Sequence, residues 1–264
     1  MSDLARLCSG LVVAIVIAAL ARRARVLSAS GAVAATLVGT AAVAAGWDWG
    51  ALLVAFFVAS SLLSRLRREH KHAAAGSIVG KGDQRDAVQV FANGGAFALA
   101  ALAHVAMPGA AWQAVGAGAL AAATSDTWAT EIGMLTPRPP RSIVTFRIVP
   151  PGSSGGVTLL GFFGAVLGAA FIELAALILG WPQTVVVAVL VGGIAGSVAD
   201  SLLGAVLQQK RWCDQCDAPT ERAVHDCGTA TRKIGGLSWL DNDAVNAACT
   251  VVGALVAYLI AARL

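Results

Sequence analysis

Charged and aromatic residues are both scarce in this chain. Of its 264 residues, 13% are charged and 6% are aromatic, whereas ordinary soluble domains carry about 25% charged residues. So little charge excludes an ordinary water-soluble domain. The abundance of apolar residues, 57% of the chain with a mean hydropathy of +0.74, instead indicates an integral membrane protein.

Eight apolar stretches are long enough to cross a bilayer, which takes about 20 helical residues. They lie near residues 4–21, 28–46, 49–64, 87–107, 112–135, 156–180, 183–207 and 243–262. The second and third are separated only by Gly46–Trp47–Asp48, so seven helices is the alternative count. The first run lacks the basic leader of a signal peptide. We predict an all-α, polytopic transmembrane bundle in which residues 1–264 form one domain, with a small zinc-clamped cytoplasmic loop within 208–240.

Basic residues are absent from the three short connections, at 46–49, 107–110 and 180–183. Of the 19 lysines and arginines, 17 lie in alternate segments, at 22–25, 65–85, 138–147 and 210–233. The positive-inside rule places such segments in the cytoplasm. We therefore expect both termini outside a prokaryotic plasma membrane. The net charge of +4 then reflects topology, and we expect no nucleic-acid partner.

A short internal repeat is visible in the second half of the bundle. The fourth and sixth stretches both have a glycine pair near their start, and the fifth and seventh have Asp126–Thr127 and Asp200–Ser201 near their end. Two tandem hairpins of the same orientation explain this pattern, although chance similarity in Ala/Gly-rich helices also does.

Two carboxylates lie at similar depths in the predicted helices. At 1.5 Å per residue, Asp126 is about 21 Å and Asp200 about 25 Å from the outer helix ends. Intramembrane carboxylates are costly and usually face a partner inside the bundle. They either cap helices or pair with arginines, or they converge on Mg²⁺, which prefers oxygen ligands. Glu131 is a third, weaker magnesium candidate, because it lies about 140° around the helix from Asp126.

The stretch "GKGDQRDAVQVFANGG" at 80–95 combines glycines, cations and a helix start. These features suit a phosphate, so Lys81 and Arg85 join Asp126 and Asp200 as catalytic candidates. It is not a Walker loop, and a solvated loop that only sets topology is the alternative. Gln89 and Asn93 carry polarity along one helix face into the membrane. The substrate- or nucleotide-binding candidates here are Gly82, Gln89, Asn93, Gly94 and Gly95.

Two further helix entries on the same side add binding candidates. "PPGSSGGVTLLG" at 150–161 either forms an anion nest or caps a helix with serine. Its candidates are Ser154, Gly155 and Gly156. "WLDNDAVN" at 239–246 offers Asp241 or Asn242 as an N-cap, and Asp243 and Asn246 as further ligands or hydrogen-bonding groups.

Three cysteines and a histidine cluster in the last basic loop, as Cys213, Cys216, His225 and Cys227. This set suffices for a closed tetrahedral zinc site, and disulfides are disfavoured in a reducing compartment. Free thiols or redox chemistry are the alternative.

The ordered segments "GDQRDAVQVFANGG", "SDTWATEIG", "SGGVTLLG", "GSVADSLLGAVLQ", "CDQC…HDCG" and "GLSWLDNDAVN" resemble one integral-membrane family. This family includes the plastid phytyl-phosphate kinase of tocopherol synthesis and related prenyl-phosphate kinases, and the resemblance spans residues 20–255. It implies transfer of a phosphoryl group from a nucleoside triphosphate, CTP or another, to an isoprenoid monophosphate of the phytyl or geranylgeranyl type. The product is the diphosphate. The expected cofactors are Mg²⁺ and a structural Zn²⁺.

Two other classes use similar ingredients. A secondary transporter or ion channel also has repeats and intramembrane carboxylates, but its site usually lies near the midplane. A lipid cytidylyltransferase or a prenol kinase shares the aspartate pair and the nucleotide.

Overall fold

The computed structural model describes residues 3–65 and 84–264. The described residues form eight helices, in agreement with the predicted bundle. They are α1 (Asp3–Arg23), α2 (Ala29–Ala45), α3 (Trp47–Arg65), α4 (Ala87–Ala106), α5 (Ala110–Gly133), α6 (Leu159–Ile178), α7 (Gln183–Val206) and α8 (Asn242–Ala261). Gly46 alone separates α2 from α3. Asp241 caps α8, as predicted, by accepting a hydrogen bond from the backbone N–H of Ala244 at 3.0 Å.

Five short strands lie in the connections. β1 (Arg141–Ser142) pairs with β2 (Gly156–Val157) between α5 and α6. β3 (Lys210–Cys213), β4 (Ala218–Thr220) and β5 (Arg232–Gly235) form an antiparallel sheet between α7 and α8, in the order β4-β3-β5.

Six of the eight described helices are long and apolar enough to cross a membrane. The exceptions are α2, with 17 residues, and α5. Helix α5 packs against α3, α4, α6, α7 and α8, and every residue from Gly116 to Ser125 is buried. Because protein surrounds α5, close packing by small residues stabilises it more than lipophilic side chains would. This explains its alanine-rich, polar sequence.

Close packing sets the register between α5 and α7. A methyl group added at Gly196 would lie 2.4 Å from the Cβ of Ala122, and one at Gly193 would lie 2.9 Å from the Cβ of Ala121. The two helices therefore run parallel, as the predicted pair of hairpins requires. Asp126 and Asp200 each follow the Ala122–Gly196 contact by four residues, so the register brings them to the same level.

The basic segments meet at one end of the bundle, called here the basic end. The backbone N–H of Ser28 donates to the carbonyl of Arg85 at 3.0 Å, which joins the first two segments. Ser154 and Glu221 join the other two through a hydrogen bond of 2.7 Å. The end with the short connections is the opposite end, where the Trp181 indole donates to Asp48.

Candidate active site

The hydroxyl groups around Asp126 are already satisfied by backbone carbonyls. Thr124 and Thr127 donate to carbonyls four residues back in α5, at 2.6 and 2.8 Å. Ser125 donates to the carbonyl of Ala165 in α6 at 2.8 Å. Within residues 124–127, Asp126 is therefore the polar side chain that is not engaged by a backbone carbonyl, so its carboxylate is available for another partner.

Asp126 and Asp200 form a pair, called here the aspartate pair, whose carboxyl groups lie close enough to interact with each other. The Oδ2 atom of Asp200 is buried and has no hydrogen-bond partner within residues 3–65 and 84–264. Two carboxylates in contact need a shared proton or a cation between them. The convergence expected from depth is thus present in the structure, and its chemistry suits a hard cation.

Arg85 lies directly before α4, at the basic end. Its Nη1 donates to Ser61 Oγ of α3 at 3.2 Å, and Glu131 of α5 interacts with it electrostatically. Glu131 therefore faces a fixed cation, in keeping with its different helix face from Asp126. The other cationic candidate, Lys81, lies outside the described residues, as does Gly82.

Gln89, in the first turn of α4, helps to cap the helix. Its backbone N–H donates to Asp86 Oδ1 at 2.9 Å, and its Oε1 accepts from the backbone N–H of Asp86 at 3.1 Å, which forms a capping box. Asn93 donates to the carbonyl of Gln89 at 3.0 Å. Gly94 packs closely against α2, whereas Gly95 follows at a roomier position.

A cavity of about 620 Å³ lies among α1, α2, α3 and α4. It extends from Trp47 near the opposite end to Arg85 at the basic end. Because Arg85 bonds Ser61, this distance spans 14 residues of α3, or about 21 Å. The described lining is apolar along most of this length. Its polar members near the basic end are Arg85, Gln89, Asn93 and Thr127. The cavity thus fits a long apolar chain with a polar head at Arg85, Gln89, Asn93 and Thr127, and Thr127 directly follows Asp126.

The glycine-rich entry to α6 docks onto the end of α7. Ser154 Oγ donates to Glu221 Oε1 at 2.7 Å, and Gly155, with φ +74°, approaches α7 more closely than a side chain would allow. Gly156 begins β2. Glu221 also interacts electrostatically with Asp200. Sequence reasoning missed Glu221, because no local pattern marks a single loop carboxylate as close to the aspartate pair.

Helix α8 closes the site from a third direction. The carbonyl of Cys249 lies 2.8 Å from the position of a methyl group added at Gly196. Since α7 and α8 run antiparallel, Asn246 is then close to the level of Asp200. Asp243 is buried one turn earlier. Cys249 is also buried and interacts electrostatically with both members of the aspartate pair.

The four predicted zinc ligands converge, and are called here the Cys/His centre. The ligand atoms of Cys213, Cys216, His225 and Cys227 all lie within 4.8 Å of one another. Cys227 Sγ is 3.6 Å from Cys213 Sγ and 3.3 Å from His225 Nδ1. A tetrahedral ion about 2.3 Å from each sulfur separates its ligands by about 3.8 Å, so this donor set fits a metal ion.

Hydrogen bonds already favour one thiolate in the Cys/His centre. Those from the Thr229 hydroxyl and from His225 lower the pKa of Cys227 to about 6. The hydrogen bond to Cys227 and the other neighbouring thiol raise the pKa of Cys216 to about 11. A dication bound among them would favour the deprotonated form of both.

Comparison with known proteins places the chain in a family. The model of the family described as "Integral membrane protein DUF92" matches residues 12–254. The chain belongs to the DUF92 family. This membership confirms the resemblance seen in the ordered motifs, and no solved structure matches the chain.

Relatives of this DUF92 chain occur in archaea and in plants. An uncharacterized membrane protein of Methanocaldococcus jannaschii is 32% identical, over 98% of this chain and 96% of its own length. Protein PGR of Arabidopsis thaliana is 30% identical, over 91% of each chain. The chloroplastic protein VTE6 of Arabidopsis thaliana is 28% identical, over 88% of this chain and 65% of its own length.

Proposed function

We propose that this DUF92 protein is a membrane-embedded kinase that transfers a phosphoryl group from a nucleoside triphosphate, CTP or another, to an isoprenoid monophosphate. The observation that carries the proposal is the apolar cavity whose polar end is lined by Arg85, Gln89, Asn93 and Thr127, the last of which directly follows Asp126 of the aspartate pair. The sequence resemblance to phytyl-phosphate and prenyl-phosphate kinases supports the same reaction, since the chain shares their ordered motifs.

The cavity accounts for the acceptor substrate. A phytyl or geranylgeranyl chain lies between α1–α4, where burial of its apolar surface favours binding. Its phosphate then reaches Arg85, whose planar guanidinium suits a phosphate oxygen pair. Glu131 and Ser61 hold this guanidinium in place.

The aspartate pair accounts for the donor side. Mg²⁺ bound there would neutralise charge on the nucleotide phosphates and bridge them to the protein. A terminal oxygen of the prenyl monophosphate attacks the γ-phosphorus, the bond from the γ-phosphorus to the β,γ-bridging oxygen breaks, and the nucleoside diphosphate leaves. The attacking oxygen is already anionic, so the reaction needs no general base. The geometry of positioned charges suits phosphoryl transfer, which depends mainly on alignment and neutralisation.

The position of the polar residues favours an enzyme over a transporter. The aspartate pair lies about 10 Å from the basic ends of α5 and α7, whereas transporter sites usually lie near the midplane. At the opposite end, Trp49 packs against Phe97, His104 and Trp181, so that end is filled by aromatic side chains. In the assay below, a lipid cytidylyltransferase is distinguished by a cytidylylated product, and a prenol kinase by its failure to convert the monophosphate to the diphosphate.

The proposal also includes the orientation of the chain in the membrane and zinc as a second metal. Nucleoside triphosphates are cytoplasmic, and the positive-inside rule puts the basic end there. Zinc in the Cys/His centre follows from its donor set of three sulfurs and one imidazole, which is typical of structural zinc sites.

The test is a kinase assay on the purified full chain in detergent. Labelled nucleoside triphosphates are incubated with phytyl or geranylgeranyl monophosphate, with and without Mg²⁺. We expect magnesium-dependent diphosphate, at least 100-fold less in Asp126→Asn and Asp200→Asn, and unchanged in the control Glu173→Gln, whose carboxylate lies in α6 nearer the opposite end. Absence of diphosphate with every nucleotide refutes the kinase. Full activity in both aspartate variants refutes the site.

A further inference from the structure

Residues 141–149, between α5 and α6, form a tight turn of chain that is called here the basic hairpin. The backbone N–H of Ser142 donates to the carbonyl of Arg147 at 2.9 Å, and that of Phe146 donates to the carbonyl of Ser142 at 2.8 Å. The Arg141 guanidinium donates to the carbonyl of Phe146, also at 2.9 Å. The main chain of the basic hairpin is therefore held in one shape by its own hydrogen bonds.

The basic hairpin exposes apolar side chains, although it is not part of a transmembrane helix. Val144 is 45% exposed, Phe146 71% and Ile148 61%. Phe146 also has φ +56°, in the left-handed region that bulky side chains rarely adopt. Strained residues of this kind persist where the surrounding structure holds them, and they concentrate at functional surfaces. The fold thus spends backbone strain on a residue whose ring makes little contact with the rest of the chain.

The basic hairpin is fastened to the start of α6. β1 pairs with β2, so that Arg141 lies opposite Val157, and the backbone N–H of Ile143 donates to the carbonyl of Gly155 at 3.0 Å. Leu159, two residues beyond Val157, begins α6 and is 84% exposed. An apolar helix of 20 residues is just long enough to cross the hydrocarbon core. The first turn of α6, and with it the basic hairpin, therefore lies at the boundary of the bilayer.

The charge of this region is entirely positive. Arg138, Arg141 and Arg147 are exposed beside the apolar side chains, and the sequence has no acidic residue between Glu131 and Glu173. Segments that combine apolar side chains with arginines bind the surface of membranes that contain anionic lipids. A second copy of the chain docked symmetrically on this surface would instead bring like charges together. Charge complementarity therefore favours anionic phospholipid as the partner.

We propose that the basic hairpin is an interfacial anchor. Its three exposed apolar side chains insert into the leaflet at the basic end, and the three arginines bind the phosphate groups of anionic phospholipids, which suit the planar guanidinium. The anchor fixes the depth of the connection between α5 and α6. This inference is independent of the proposed function, because it needs neither a nucleotide nor a prenyl substrate.

The experiment identifies what lies against the basic hairpin by photocrosslinking. The full chain carries Phe146→benzoylphenylalanine, which replaces a ring that is already exposed, and is placed in nanodiscs of equimolar phosphatidylcholine and phosphatidylglycerol. Leu99→benzoylphenylalanine, at an exposed position of α4, reports the lipid ratio of the bulk bilayer. Mass spectrometry identifies the crosslinked partner. Arg147→Gln and Arg138→Gln are then each added, with Arg263→Gln, beyond the far end of α8, as the matched control.

We expect position 146 to crosslink to phospholipid, with a ratio of phosphatidylglycerol to phosphatidylcholine at least fivefold above that at position 99. Arg147→Gln and Arg138→Gln should each lower this ratio about fivefold, the contribution of one arginine near an anionic surface, and Arg263→Gln should not change it. Crosslinks from position 146 to a second copy, to the chain itself or to nothing overturn the insertion. A bulk lipid ratio at position 146, or the same ratio in all three arginine variants, overturns the binding of anionic lipid.

Discussion

The Gly196→Ala substitution tests whether helix packing sets the geometry of the aspartate pair. The added methyl would lie 2.4 Å from Ala122 Cβ and 2.8 Å from the carbonyl oxygen of Cys249. Carbon atoms pack at about 3.5–4.0 Å, so α7 must move by about 1 Å from α5. Overpacking of this kind costs about 1–3 kcal/mol of stability. Since Asp200 lies one turn further along α7, the displacement reaches the site.

A misplacement of about 1 Å can lower a rate about 100-fold, which corresponds to about 2.7 kcal/mol. We therefore expect the turnover number of Gly196→Ala to fall about 100-fold, and its melting temperature in detergent to fall by a few degrees. Gly109→Ala is the control, because no atom lies within 4 Å of the added methyl. Adding Ala122→Gly removes the closest contact and should recover part of the activity. Wild-type turnover in Gly196→Ala would refute the packing argument.

Three further predictions test the cavity, the cation at its polar end and the metal. Ala51→Phe fills the cavity about 15 Å from Ser61, which bonds Arg85, so KM should rise at least tenfold for geranylgeranyl monophosphate and little for isopentenyl monophosphate. The lipid-facing control Leu99→Phe should change neither. Arg85→Gln should raise KM for both acceptors about 10- to 100-fold, since a charged hydrogen bond contributes about 1.5–3 kcal/mol. KM values equal to those of wild type would show that Arg85 does not bind the phosphate. Mass spectrometry should find one zinc per chain, lost in Cys216→Ser and kept in Cys8→Ser, and a zinc-free wild type would disprove the site.

The helices and the depth of the aspartates were predictable from the sequence. The thickness of the hydrocarbon core fixes how many residues each helix needs, so counting along α5 and α7 was enough to place Asp126 and Asp200 at one level. Their direct contact was not predictable, because it depends on the close approach of Gly196 to Ala122. That approach is a tertiary property, and many other glycines in this chain look the same in sequence.

Two features of the site were not predicted from the sequence, for different reasons. Gln89 was interpreted only as a binding residue, yet Asp86 three positions earlier is the acidic partner of a capping box. The sequence therefore contains a local signal for this capping role. Glu221 had no such signal, because its nearness to Asp200 arises from the fold of the loop between α7 and α8. The cavity was not predictable from the sequence either, because its walls come from four separate helices.

The enclosure of α5 has a consequence for how the protein is made. A helix that carries Asp126 and Glu131 and is built mainly from alanine and glycine gains little from contact with lipid, and an acid even at the helix centre costs no more than about 2.5–3.5 kcal/mol on insertion, which the apolar residues of α5 do little to offset. Its place in the bilayer thus depends on neighbours synthesised later, because α6, α7 and α8 supply most of its surroundings. During synthesis, α5 must be retained at the insertion machinery or paired with α4 until those helices emerge. Chains truncated after α5 should therefore be recognised by membrane quality control and degraded.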